Sequence, residues 1–214
     1  MEPTRISAIR HGETAWNVDT RLQGHLDIPL NEVGLRQAQH LAQTLVQRET
    51  IDAIYASDLS RAHSTAQAIA QAMGQKVAVH AGLRERHFGA FQGRTYAQIE
   101  TELPEHAWHW RKRTPDWTPP GGGESLNVLR ERVIQTVEAL AAAHAGQHIV
   151  MVAHGGVLDI LYRAAARLDL QAPRTWALTN TAVNRLLWTP QGLSLVGWGD
   201  TSHLDAVAKD ESSL

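Results

Sequence analysis

The sequence contains no cysteine, so neither a disulfide framework nor thiolate chemistry is available to it. Long apolar runs are missing too: the longest, Ile149 to Ala153, falls far below the roughly 18 residues a membrane helix needs. Charge of one sign is scarce, with 20 Lys and Arg against 22 Asp and Glu, a formal net charge of -2 over 214 residues. Such a chain has no whole-molecule field to attract nucleic acid or anionic lipid, and any anion it binds must be caught locally. The start, MEPTRISAIRHG, lacks the basic-then-apolar layout of a secretory signal, which makes the cytoplasm the expected location. Metal motifs are equally absent: there is no HExxH and no acidic pair at cation-binding spacing, so neither a metal nor another cofactor is expected.

What is present is an alternation of short apolar runs with amphipathic segments. Ile6 to Ile9 precedes a helical pattern over Leu35, Ala38, Leu41, Ala42 and Leu45, with Asn31 as N-cap. Ile51 to Ala56 precedes a second pattern over Ala62, Ala66, Ile69, Ala70 and Met73. A third helix is expected from Ser125 through Leu126, Leu129, Val133, Val137 and Leu140, leading into Ile149 to Ala153, a buried central strand. A fourth follows through Leu158, Leu161, Tyr162, Ala165 and Leu168, and Val183–Trp188 and Leu193–Trp198 should form an antiparallel hairpin. The pattern predicts one α/β domain, 1–214, a three-layer α/β/α sandwich about a mostly parallel sheet. The stretch at about 87–124 fits neither period and is expected to be a helical insertion ending in a mobile loop; Lys209 to Leu214 are expected to be disordered.

Two predicted strands end alike: Ile6 to Ile9 runs into Arg10-His11-Gly12, and Ile149 to Ala153 runs into His154-Gly155-Gly156. In open parallel sheets the ligand crevice lies beyond the carboxyl ends of the strands, so neighbouring strands would face both imidazoles into one pocket. A third strand empties towards Arg61, at the same rim as Arg10. Two guanidiniums flanking two histidines suit a phosphoryl group, because forked donors match phosphate oxygens and an imidazole can attack phosphorus. Asn17, Gln23 and Gly24, in the loop after His11, could add neutral donors, and Glu85 is the best-placed acid for a leaving alkoxide.

Taken in order, Arg10-His11-Gly12-Glu13-Thr14 with Asn17, Leu22-Gln23-Gly24, Ser57-Asp58-Leu59-Ser60-Arg61, Leu83-Arg84-Glu85 to Gly89, Gly123-Glu124-Ser125 and Ala153-His154-Gly155-Gly156 resemble the histidine phosphatase, or phosphoglycerate-mutase-like, superfamily. The resemblance implies that His11 is the phosphorylated nucleophile, that His154, Arg10 and Arg61 hold the phosphoryl group, and that Glu85 is the proton donor. It also implies a phosphoryl cage including Asn17 and the Gly155 backbone, with Gln23 and Gly24 lining the substrate loop. A small phosphate monoester is then the expected partner, and hydrolysis the expected reaction.

Cofactor-dependent mutase action is the alternative, kept alive by His87-Phe88-Gly89, and a non-catalytic phosphate-binding module is a weaker one. Trp108, Trp110 and Trp117 suit a substrate mouth or the insertion's own small core equally well. Arg111-Lys112-Arg113 reads more readily as a solvated face than as a substrate clamp, and His106 with His109 as solvated residues rather than metal ligands. Oligomeric state is open, with a homodimer through the hairpin edge a reasonable expectation.

Overall fold

In a computed structural model, residues 2–204 are described, so the expectation for Lys209 to Leu214 lies outside the described residues. Six strands form one sheet in the order β3-β2-β4-β1-β5-β6, where β1 is Thr4–Arg10, β2 Ala53–Ala56, β3 Val77–Val79, β4 His148–Ala153, β5 Val183–Thr189 and β6 Gly192–Asp200. β3, β2, β4 and β1 run parallel, and β5 and β6 add an antiparallel edge. The sheet is thus mostly parallel, and its last two strands are the expected hairpin.

Helices cover both faces, because β1 and β4 alternate apolar side chains to each side. Ile9, Val150 and Val152 pack with α2 (Glu32–Arg48) and α3 (Ser60–Met73). Ile6, Ala8, Ile149 and Met151 pack with α6 (Leu126–Ala142) and α7 (Gly155–Ala166). β4 is buried along its whole length, as a strand covered on both faces must be.

The helix starts follow from their caps. Asn31 accepts a hydrogen bond from the Gly34 N–H at 2.8 Å and Ser125 one from Val128 at 3.2 Å, each satisfying an amide that has no partner within its helix. Two expected core positions lie elsewhere. Leu35 is 49% exposed on the first turn of α2, and Leu168 falls beyond α7, which stops where Arg167 turns left-handed. Leu35 keeps the helical spacing but is exposed, and Leu168 lies past the end of the helix, where that spacing no longer applies.

The stretch 87–124 contains two short helices, α4 (Tyr96–Glu102) and α5 (Pro104–Arg111), around a small core of Phe88, Phe91, Ile99 and Ala107. Trp110 and Trp117 pack against it, whereas Trp108 is half exposed. The glycine-rich end is anchored: Ala90 donates to the Pro120 carbonyl at 2.7 Å and Glu124 to that of His87 at 2.8 Å. A Cβ on Gly89, which has φ +55°, would lie 2.1 Å from the Pro120 oxygen, so this close crossing requires glycine. These ties hold the two ends of the glycine-rich stretch, while Gly121 and Gly122 between them are exposed.

Candidate active site

The register of the two central strands places the histidines. Arg10 pairs with Ala153 at the carboxyl ends of β1 and β4, so the next residues, His11 and His154, emerge side by side with ring centroids 5.2 Å apart. The His11 N–H donates to the Ala153 carbonyl at 3.0 Å, prolonging the ladder by one bond. The turn beyond has no spare room: a Cβ on Gly12 would meet the Gly34 oxygen at 2.6 Å, and one on Gly34 the Glu13 oxygen at 2.1 Å. The His11 loop is thereby fixed against the N-terminus of α2, where Asn31 also donates to the Glu13 carboxylate at 2.8 Å.

His11 is 3% exposed, and its Nδ1 lies 2.7 Å from the Gly12 carbonyl. A carbonyl only accepts, so Nδ1 carries the proton and Nε2 presents a lone pair. Burial, reinforced by Arg10 and then Arg61, holds the pKa of His11 well below the usual histidine value. His154 is fully buried and its pKa is likewise held low, first by burial and then by Arg61, His11 and Arg10. Neither ring nitrogen of His154 has a hydrogen-bond partner in the protein. Interiors rarely leave such atoms unpaired, and two on one ring beside His11 point to a ligand that supplies the partner.

Arg61, on the first turn of α3, has no solvent exposure and donates to the carbonyls of Gly24 at 2.7 Å and Leu26 at 2.9 Å. Burial lowers it to about 10, with Glu85 and Asp27 opposing, so it stays charged at neutral pH. Arg10 donates to the Leu178 carbonyl at 2.5 Å, and its Nε, like that of Arg61, is buried without a protein partner. Burial also lowers Arg10, partly offset by Glu85. Glu85 is 9% exposed; its carboxylate accepts from the Gly156 N–H at 3.1 Å, at the N-terminus of α7, and from its own neighbour Arg86 at 2.7 Å.

His11, His154, Arg10, Arg61 and Glu85 therefore share one end of the sheet. The neutral residues divide. Gly155 lies between Arg10 and Glu85, since a Cβ there would be 3.8 Å from Arg10 Nε and from Glu85 Oε2. Asn17 caps α1 (Ala15–Val18) with Thr14, its Oδ1 accepting from the Thr14 N–H at 3.0 Å. Gln23 is buried and donates to Thr14 Oγ1 at 2.8 Å, leaving its Oε1 unpaired. Gly24 serves through its backbone: its carbonyl holds Arg61, and Gln92 occupies the space a side chain would need.

Beside this cluster opens a cavity of about 810 Å³ whose inner wall includes Arg10, Gly155 and Gly156. It is also lined by Arg86, Arg111, Arg113 and Arg174, by one carboxylate, Asp159, and by the rings of Phe88, Tyr96 and Trp110. Arg113 turns into the cavity, held by Asp159 at 2.6 Å, whereas Arg111 reaches the cavity from an exposed position, its side chain 56% exposed and paired to Glu100 at 3.0 Å. Arg86 lies 5.2 Å over the Trp110 ring with its Nη2 unpartnered, and burial lowers it to about 10. Sequence reasoning missed Arg86, Asp159 and Arg174, and also Asn180, which donates to the His11 carbonyl at 2.7 Å. Asn180 lies in a turn with no period; Arg86, one residue after Glu85, was the one signal within reach. His106 and His109 stack near Trp117, and among the described residues no cluster of three or more metal-ligating side chains occurs.

Comparison with known proteins places the chain. The model of the histidine phosphatase superfamily (branch 1) matches residues 6–201. Phosphoglycerate mutase-like protein 4 of Arabidopsis thaliana is 40% identical over 207 residues, covering 96% of this chain and 89% of that protein. The metal-independent phosphoserine phosphatase of Arabidopsis thaliana is 38% identical over 207 residues, covering 96% and 85%. Among solved structures, the mycobacterial glucosyl-3-phosphoglycerate phosphatase superposes with a TM-score of 0.81 at 31% identity, covering 94% of this chain and 100% of that one.

Proposed function

The chain belongs to the histidine phosphatase superfamily, and from that premise we propose that it hydrolyses small phosphate monoesters through a phosphohistidine on His11. The observation that carries the reading is the buried pair of imidazoles at the ends of adjacent parallel strands, with His11 Nδ1 pinned to Gly12 and two arginines alongside. His11 Nε2 attacks phosphorus in line, forming the P–N bond as the ester P–O bond breaks. Charge gathering on the equatorial oxygens is met by Arg10, Arg61 and His154, together with the Gly155 backbone and Asn17. Glu85 gives its proton to the departing oxygen. Water then attacks the phosphohistidine, Glu85 takes the water's proton, and phosphate leaves with His11 restored.

The substrate we infer carries a second anionic group, because four arginines line the cavity beyond the phosphoryl site and, with Arg111 paired to Glu100 and Arg113 to Asp159, neither Arg86 nor Arg174 has a carboxylate ion-pair partner among the described residues. That set is larger than the Arg111-Lys112-Arg113 run legible in the sequence, and it also supports the second reading, mutase action, in which the phosphoenzyme returns phosphate to a bound hydroxy acid. Phosphate release from a panel of monoesters in chelator, with 3-phosphoglycerate plus a bisphosphate primer assayed for isomerisation, separates the two. Release that disappears in His11→Ala supports hydrolysis; isomerised product without release supports the mutase; neither, across the panel, leaves a phosphate-binding module.

A further inference from the structure

The segment that delivers Glu85 has almost no regular structure of its own. After the 3-10 turn Ala81–Leu83, the chain runs from Arg84 to Phe88 with neither helix nor strand. His25 Nε2 lies 2.8 Å from the Glu85 carbonyl and Arg84 Nε donates to Asp58 at 2.7 Å, but the side chain that ties several of the segment's carbonyls at once belongs to α6. Arg132 Nη1 donates to the carbonyls of Gly82 at 2.8 Å and Arg84 at 3.0 Å, and Nη2 reaches that of Glu85 at 3.4 Å. The other edge of the same guanidinium grips Glu124, Nε to Oε1 at 2.8 Å and Nη2 to Oε2 at 2.7 Å. Glu124 brackets the segment from the opposite side. Its N–H donates to the His87 carbonyl at 2.8 Å, and its own carbonyl accepts from Arg86 Nε at 2.7 Å. The pair is mostly buried, with side chains 24% and 11% exposed, and neither residue lines the cavity.

We propose that Arg132, held by Glu124, is a positioning residue for proton transfer: it fixes the backbone from which Glu85 reaches the leaving oxygen. The inference rests on the reading of Glu85 as the acid. A general acid works only within hydrogen-bond reach of the atom it protonates, and an irregular segment supplies such precision only if it is tied down. Arginine suits the task because its five donors lie in a rigid planar fork, which spans three carbonyls and a carboxylate at once. Lysine has one nitrogen and cannot.

The test uses the leaving group. When the P–O bond breaks, its electron pair goes to the departing oxygen; an alkoxide needs the proton of Glu85, and p-nitrophenolate does not. In Arg132→Met, kcat/KM, which covers the steps through phosphoenzyme formation, should fall about 10- to 100-fold for an alkyl phosphate such as glycerol phosphate. For p-nitrophenyl phosphate the loss should be several-fold smaller. Arg132→Lys should recover part of the difference. The double variant with Glu85→Gln should be no more impaired than Glu85→Gln alone, since both act through one group. Should Arg132→Met not fold, Glu124→Gln loosens the same fork more gently and should show the same selectivity. Equal losses on both substrates, or losses that multiply with Glu85→Gln, would overturn the proposal and leave Arg132 a structural residue. If Glu85→Gln itself were indifferent to the leaving group, the assignment of the acid would fall first, and this inference with it.

Discussion

Gly156→Ala places a single methyl group against the proposed acid. A Cβ at Gly156 would lie 2.2 Å from Glu85 Oε1 and 3.3 Å from its carboxyl carbon, while the Gly156 N–H is, with that of Arg86, one of two backbone donors to this carboxylate. To restore an ordinary contact the carboxylate must retreat by about 1 Å, and a misplacement of that size costs about 100-fold in rate, or about 2.7 kcal/mol of transition-state stabilisation. Folding should not suffer in parallel, because alanine is up to about 1 kcal/mol better than glycine inside a helix, and Gly156 is the second residue of α7. The expected signature is near-wild-type urea denaturation with kcat/KM on glycerol phosphate down about 100-fold and on p-nitrophenyl phosphate down far less. Gly155→Ala is the control: its methyl would have 3.8 Å contacts and would leave Glu85 in place. Its effect on turnover should therefore be independent of the leaving group. A Gly156→Ala enzyme that turned over alkyl phosphates like the wild type, or lost both substrates equally, would refute the placement of Glu85 as acid.

Four further outcomes follow from burial and charge. Because burial, Arg10 and Arg61 hold the pKa of His11 well below the usual value of about 6.5, the acidic limb of the kcat/KM profile should lie below that value, as the nucleophile is lost only when His11 protonates. The same shift sets stability: below about pH 6.5 the unfolded chain binds protons that native His11 and His154 refuse, so unfolding free energy should fall with pH by up to about 1.4 kcal/mol per unit for each. Chemical denaturation between pH 7 and 5 checks this, and flat stability would contradict it. Leu41→Ala, at a fully buried site under α2, should cost about 2–5 kcal/mol, whereas Leu35→Ala, on the exposed first turn, should stay within about 0.5 kcal/mol of wild type by thermal melts. Arg174→Met should reduce kcat/KM for a phosphorylated carboxylic acid about tenfold more than for p-nitrophenyl phosphate; equal losses would remove the second-anion reading.

Much of this was legible in the sequence, and the reasons differ by element. β1 and β4 announce themselves as apolar runs because both their faces are covered, and each ends in a histidine followed by glycine. The caps at Asn31 and Ser125 are visible because a short polar side chain ahead of an amphipathic run has a local job. Leu35 and Leu168 misled because helical spacing reports neither the exposure of a helix's first turn nor where the helix stops. Arg113 misled for a related reason: a basic run has no period, and only the pairing with Asp159 shows that this member turns inwards while Arg111 stays exposed beside Glu100. Asn180, Asp159 and Arg174 come from a turn, a helix interior and a loop far from any motif, so only their long-range contacts mark them. The clamp of Arg132 on the Glu85 segment spans 47 residues and leaves no local trace.

The most direct measurement of the central claim is rapid acid-free quenching of the enzyme during turnover of a 32P-labelled phosphate monoester, followed by mapping of the label. The label should appear on His11, be stable to base and labile to acid, form and decay at least as fast as turnover, and be absent from His11→Ala. Turnover without any phosphoenzyme, or label on another residue in the wild type, would contradict the mechanism.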